Sequence, residues 1–398
     1  MNRPAIVVIA YNRQDTLKRL LASLEKAEYG DYKNNPVTLC ISVDKSDNPE
    51  VLKLAESYEW QYGEKKVRSF TENQGLKKHV LSCMELSLKY KSIIILEDDL
   101  YVSQGFYAYT EKALEFAKDD ESIAGISLYN HLFNVHVREP FEAIDDGYDN
   151  WYFQFASSWG QAITDKQYAA FKEWLEAFEK RNDKESCFKN APLNVASWGD
   201  KSWLKYHILY MIMENKYFMY PRISLTTNFS TQGTHKMGQE YDLQVPLLNG
   251  IKEYNLSSLV QSEAVYDSFF ENIKIGHRQE NIKQQSEEAI GADSVKWSDT
   301  EIDLYGYKAS TGYKAHKKRY ILSSAALPYK KVLSYKRCLR PLDMNILENV
   351  SGDDFILYDT TVSDKAPKMD MLSRIFYNYR AFKAKYIPRI IKGRLSGR

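Results

Sequence analysis

Ala5-Ile6-Val7-Val8-Ile9-Ala10 is an unbroken apolar run, mostly β-branched, the pattern of a strand buried on both faces of a parallel sheet. Leu17, Leu20, Leu21 and Leu24 then recur at helical spacing, with Asn12 placed as N-cap and Asp15 in the first turn. Apolar runs predict a second strand at 37–43, a weaker third at 67–70, a fourth at 92–96 and a fifth at 123–128. Helical spacing predicts helices over 76–90 and 104–118. Strands alternating with helices of this length imply βαβ units and an open, doubly wound sheet. Beyond Leu128 the pattern loosens. A helix at 166–180 carries Tyr168, Phe171, Leu175 and Phe178 on one stripe, and another from about Asp200 carries Trp203, Leu204, His207 and Met211. Residues 275–297, rich in Gln, Glu, Lys and Ser, read as a linker or long helix, and 300–362 return to short apolar runs without a legible order.

A chain of 398 residues implies two or three structural units. Its 44% apolar and 27% charged residues are an ordinary globular balance, which excludes a disordered chain. A net charge of +1 gives no global field for nucleic acid, so none is expected as a partner. Charge is nevertheless uneven: Lys368 to Arg398 holds nine basic residues and one acid, Asp370. Cys40, Cys83, Cys187 and Cys338 are scattered without a C-x-x-C pair, the pattern of reduced thiols. No signal peptide and no membrane span is read, so a cytoplasmic protein is expected.

Four polar positions follow four of the predicted strands: Asn12-Arg13, Asp44, Asn73 and Glu97-Asp98-Asp99. Ligands of open α/β sheets bind at these carboxyl ends. Three consecutive acids after a wholly apolar strand are costly unless a cation neutralises them. Mn²⁺ or Mg²⁺, sharing its shell with substrate phosphates, would do so; a solvated turn capping the next helix is the plain alternative. Neither a Walker P-loop nor G-x-G-x-x-G after the first strand is present.

In this arrangement the chain resembles the GT-A nucleotide-sugar glycosyltransferases. Val8-Ile9-Ala10-Tyr11-Asn12-Arg13, Val43-Asp44 and Asn73-Gln74-Gly75 look like the N-terminal half of family-2-like enzymes. Leu96-Glu97-Asp98-Asp99-Leu100 is similar to the acidic motif of N-acetylglucosaminyltransferase I. The likeness continues through Ser158-Trp159-Gly160, Trp198-Gly199-Asp200 and Arg222 to Gly233-Thr234-His235, about residues 1–240. It implies an α/β fold, a doubly wound, mostly parallel sheet flanked by helices, with an additional C-terminal α+β region. Residues 1–240 would be the catalytic domain, 1–130 binding the nucleotide-sugar and 131–240 the acceptor. Residues 241–367 would be an accessory region and 368–398 a basic amphipathic tail.

By the same resemblance Asp99 would bind the metal, with Glu97 and Asp98 on sugar and ribose. Asp44 would meet the nucleotide base, Arg13 the ribose or diphosphate, and Asn12 and Asn73 would also line the donor site. Trp159 would floor the sugar, and His235 would reach metal or diphosphate from a loop. Asp200 would be the general base of an inverting displacement. The family's base lies in a Trp-Asp-Asp-Trp stretch, whereas here the order is Trp198-Gly199-Asp200-Lys201-Ser202-Trp203, and Asp200 as a helix N-cap is the alternative. His79, after Lys77 and Lys78, lies on a helix face expected to be solvated.

The implied reaction moves a sugar from a nucleoside-diphosphate sugar, such as UDP-GlcNAc, to a glycan or lipid-linked acceptor in bacterial surface polysaccharide synthesis. The tail carries Leu372, Ile375, Phe376, Tyr379, Phe382 and Tyr386 at helical spacing among Arg374, Arg380, Lys383 and Lys385, up to Pro388. Such a helix suits an anionic membrane surface, here the inner face of the cell membrane, or the chain's own acidic body. Two alternatives stay open: a sugar-nucleotide nucleotidyltransferase, and an inactive carbohydrate-binding protein on the same fold.

Overall fold

The computed structural model describes residues 3–229, 243–279, 295–311 and 318–364. Strands β1 (Ala5–Ala10), β2 (Leu39–Val43), β3 (Lys65–Ser69) and β4 (Ser92–Glu97) run parallel in the order β3-β2-β1-β4. Val8 lies beside Ile41 on one side and Leu96 on the other. All six residues of β1 are buried, and the pleat divides them. Ile6, Val8 and Ala10 join one apolar layer, whereas Ala5, Val7 and Ile9 join the opposite one. A strand covered on both faces has no polar side, hence the unbroken apolar run.

Helices α1 (Gln14–Glu25), α2 (Pro49–Ser57), α3 (Leu76–Met84), α4 (Leu86–Tyr90) and α5 (Phe106–Ala117) fill the connections. Leu17 and Leu20 of α1, Val51 of α2 and Phe106 and Tyr109 of α5 belong to the first layer; Val80 and Cys83 of α3 belong to the second. Asn12 is not the cap of α1. Arg13 takes that position without a side-chain bond, whereas α2, unread in the sequence, is capped by Asn48 with Pro49 behind it.

The chain then passes through β5 (Leu100–Val102), β6 (Ile123–Ser127), the hairpin of β7 (Phe133–Asn134) and β8 (Glu139–Pro140), β9 (Asn150–Phe153) and β10 (Gln161–Thr164). After α6 (Asp165–Glu179) come the single turns α7 (Lys184–Cys187) and α8 (Leu193–Ala196), then α9 (Trp203–Met213). Strands β11 (Tyr217–Pro221), β12 (Thr226–Asn228) and β13 (Val265–Tyr266) follow. The main sheet has nine strands, in the order β13-β9-β11-β6-β10-β4-β1-β2-β3. It is mostly parallel and flanked by helices, as expected, but β10 runs antiparallel between β4 and β6. The fourth and fifth strands of the sequence pattern are therefore not neighbours.

Tyr168, Phe171, Leu175 and Phe178 of α6 are buried as their stripe predicts. The expected additional C-terminal region is a four-stranded sheet of β14 (Thr300–Asp303), β15 (Tyr320–Ser323), β16 (Tyr329–Tyr335) and β17 (Phe355–Ser363), ordered β14-β15-β17-β16. Trp297, Leu322, Phe355 and Leu357 centre its core. The four cysteines are free thiols, with Cys40 and Cys83 buried. Among the described residues no helix is long and apolar enough to cross a membrane.

Gly125 of β6 faces Phe218 of β11, and a Cβ there would meet the phenyl ring at 2.5 Å. Gly125→Ala should lower the unfolding free energy by about 1–3 kcal/mol in urea titrations. In combination with Phe218→Leu the loss should be smaller than the sum of the two single changes.

Candidate active site at the carboxyl ends of the strands

Strand β4 is buried from Ser92 to Leu96 and delivers Glu97, Asp98 and Asp99 into a turn. The turn is held from behind because β5, which leaves it, pairs antiparallel with β12 from Thr226↔Val102 to Asn228↔Leu100. Phe229 extends that pairing by donating its N–H to the Asp99 carbonyl at 3.3 Å. Ile9 of β1 lies beside Glu97, so the chain that continues to Arg13 passes over the end of β4. The Arg13 guanidinium donates to Asp99 Oδ2 at 3.1 Å and pairs with Asp98 Oδ1. Asp99 Oδ1 is buried and has no hydrogen-bond partner.

One guanidinium cannot balance three carboxylates. Burial, reinforced by Asp99 and Asp98 and opposed by Arg13, raises the Glu97 carboxyl to about 8. Burial also lifts Asp98 to about 6, with Arg13 and the Tyr11 N–H pulling it down and Asp99 pushing it up. The turn thus favours protons or another cation.

Asp44, at the end of β2, is buried and accepts backbone N–H groups. Its Oδ1 receives those of Lys45 and Gln74, both at 2.8 Å, and its Oδ2 that of Gly75 at 3.2 Å. Gly75 begins α3 with φ +73°, a conformation that favours glycine. The Asn73 side chain donates to the Lys45 carbonyl at 2.9 Å, and the Asn12 carbonyl accepts from Asn48 at 3.0 Å. Asn12, Arg13, Asp44, Asn73 and the acidic turn therefore gather along the adjacent ends of β1 to β4. His79 is not on a solvated face: it is 3% exposed, 2.8 Å from Ser42 Oγ, and burial lowers it to about 4, so it is neutral near pH 7.

Trp159 is half-buried, its ring 4.7 Å from Tyr129 and 5.7 Å from His131. Its carbonyl accepts from Thr226 Oγ1, which ties this loop to the strand that backs the acidic turn. Asp200 stands apart from these contacts. Its side chain is 90% exposed in the turn before α9, and it accepts the Tyr206 hydroxyl at 3.2 Å. The cap of α9 is Ser202, which accepts the Lys205 N–H at 3.3 Å, so capping is not the role of Asp200. His235 lies outside the described residues.

Three contributors escaped the sequence pattern. Thr226 and Tyr206 carry no local signal, because each acts through a partner distant in the sequence or across a helix turn. Gln161 is the polar first residue of β10, beside Ile95 of β4, with its Oε1 buried and unpartnered.

Among the described residues no group of three His, Cys, Asp or Glu side chains could hold a metal by itself. The unpartnered Asp99 Oδ1 nevertheless fits a hard cation that takes one protein oxygen and draws its other ligands from phosphates and water.

Residues 5–169 match the family described as Glycosyl transferase family 2. This segment, somewhat under half of the chain, is similar to a family 2 glycosyltransferase domain. It contains every strand-end residue above and Trp159, and it stops short of Asp200. No curated protein sequence matches the chain. Among solved structures, TarS of S. aureus is 13% identical over 56% of this chain and 36% of its own, with a TM-score of 0.35. S. aureus TarS 1-349 in complex with UDP-GlcNAc is 14% identical over 58% and 60%, with a TM-score of 0.37. GalNAc-T7 with UDP, GalNAc and Mn²⁺ is 12% identical over 56% and 43%, with a TM-score of 0.38. The chain thus spans between 36% and 60% of the length of these three proteins.

Folded Glu97 keeps its proton up to about pH 8, whereas an ordinary glutamate loses it near 4.5. The native state therefore binds more protons across that window, and stability is complete below it and declines as pH rises through it. Without divalent cations, the urea midpoint should fall from pH 5 to pH 8 in the wild type and stay flatter in Glu97→Gln. One proton bounds the slope at about 1.4 kcal/mol per pH unit.

Proposed function

We propose that the chain is an inverting, metal-dependent glycosyltransferase. It would move a sugar from a nucleoside-diphosphate sugar, UDP-GlcNAc being the first donor to test, to a hydroxyl of a glycan or lipid-linked acceptor. A single observation carries this: a buried carboxylate oxygen, Asp99 Oδ1, lacks a partner in an under-neutralised acidic turn of a segment similar to a family 2 glycosyltransferase domain. Polysaccharide assembly in bacteria is the setting that the resemblance suggests.

Asp99 would hold Mn²⁺ or Mg²⁺, and the bound cation supplies Lewis-acid stabilisation of the charge that develops on the leaving diphosphate. Asp98 and Glu97 would face ribose and sugar. Asp44 already organises the Gln74-Gly75 amides, and this loop with Asn73 and Asn12 would meet the nucleoside. Arg13 would meet the diphosphate, Trp159 would pack on the sugar, and His235, outside the described residues, would serve the metal or diphosphate. Asp200 would take the acceptor's hydroxyl proton as its oxygen bonds to the anomeric carbon and the bond to diphosphate breaks. The Tyr206 hydroxyl would fix Oδ1 and leave Oδ2 for that proton. We assign the catalytic domain to residues 1–240, completed at the sheet edge by Val265–Tyr266.

Incubation with UDP-, GDP- and dTDP-sugars should release nucleoside diphosphate from one donor with Mn²⁺, and none with EDTA or in Asp99→Ala. Asp200→Asn should lower turnover by about 10²–10⁴ with donor affinity unchanged. If no donor binds in a metal-dependent way, the proposal fails.

The basic tail, outside the described residues, would hold the enzyme at the inner face of the cell membrane. Each Lys or Arg near an anionic surface contributes about 1 kcal/mol. Full-length protein should therefore co-sediment with phosphatidylserine vesicles. A chain with Arg374, Arg380, Lys383 and Lys385 changed to Glu should stay in the supernatant; equal pelleting would refute the anchor.

A further inference from the structure

Arg13 stands where its charge and that of a bound cation compete. Of the two Asp99 oxygens, Oδ2 accepts from Arg13 at 3.1 Å and Oδ1 is buried without a partner. The same guanidinium pairs with Asp98, whose side chain is 4% exposed, and it is the side-chain cation paired with the acidic turn among the described residues. A cation on Oδ1 would share one carboxylate with a fixed positive charge, and in a partly buried site such like charges repel strongly. A diphosphate removes the conflict, because its oxygens accept from a guanidinium fork and ligate a divalent cation at once. The Arg13 side chain is 27% exposed, so one edge of it is open to an arriving phosphate.

We infer that Arg13 is a positioning residue that makes metal binding conditional on the donor. Without donor it neutralises and orients the acidic turn and disfavours free metal. With donor it turns to the diphosphate and releases the Asp99 carboxylate to the cation. The site thereby excludes a lone metal ion and takes metal and nucleotide as one unit. This inference rests on the metal-dependent reading above.

The test is Mn²⁺ binding by electron paramagnetic resonance, with and without UDP, on the full chain. Wild type should bind Mn²⁺ weakly alone and at least tenfold more tightly with UDP. Arg13→Met should bind Mn²⁺ alone at least tenfold more tightly than wild type, and the enhancement by UDP should shrink at least tenfold. These opposite changes separate a switch from a merely structural arginine, whose loss would weaken both. Arg13→Lys, which keeps the charge without the fork, should fall between and carries the test if Arg13→Met does not fold by circular dichroism. If wild type shows UDP-dependent Mn²⁺ binding but neither variant gains affinity for Mn²⁺ alone, the inference fails and the metal reading stands. If wild type shows no UDP-dependent Mn²⁺ binding, the metal reading fails and takes the inference with it.

Discussion

Three carboxyl groups in succession at the end of a strand buried from Ser92 to Leu96 share a single guanidinium, and the surrounding architecture answers that imbalance. Desolvation disfavours each charge, and mutual repulsion adds to it, so the turn could relax outward into water. It is prevented from doing so on two sides. The β5–β12 pairing pulls the chain back immediately after Asp99, and β1 carries Arg13 across the front. The imbalance is therefore retained in the fold, and Asp99 Oδ1 stays buried without a partner.

A second device works in the opposite sense. Asp44 is an equally buried acid, yet three backbone N–H groups meet its two oxygens, which satisfies the charge locally and fixes the loop that opens α3. One acid is thus satisfied by the backbone and organises a loop, while another, Asp99, keeps a buried oxygen without a partner. The bond from Asn48 to the Asn12 carbonyl links the two at the sheet edge. Trp159 joins the same frame through Thr226, so its loop and the acidic turn rest on one strand pair.

The parallel half of the sheet was legible because strands covered on both faces leave unbroken apolar runs, and because the site lies where such strands end. Asn12, Arg13, Asp44, Asn73 and the acidic triplet could be picked out on that rule alone. The antiparallel half was not legible. Four-residue strands such as β9 and β10 are too short for a period, and nothing local shows that Gln161–Thr164 inserts between β4 and β6. His79 was misplaced for a related reason. Its neighbours Lys77 and Lys78 look solvated, but α3 turns His79, Val80 and Cys83 together against the sheet. The partners of Arg13 were also hidden, since a contact across 85 or 86 residues leaves no sequence signature.

The C-terminal sheet bears on the site through the far edge of the main sheet. Asp267 follows β13 directly and accepts from Lys308 Nζ at 2.8 Å, and Lys308, 7% exposed, also donates to the Ile302 carbonyl within β14. Burial pushes the neighbouring Glu271 carboxyl well above the ordinary glutamate range, with Lys308 opposing and Asp303 and Asp267 reinforcing the shift. Removing one partner of such a buried pair is far costlier than never having built it, so the junction behaves as a fixed joint. Tyr266, within β13 itself, donates to the buried Asp343. A region joined to the main sheet at Tyr266 of its last strand and at the next residue, Asp267, does not act as a tethered, freely moving module. The C-terminal sheet is thereby held at a set position relative to the main sheet.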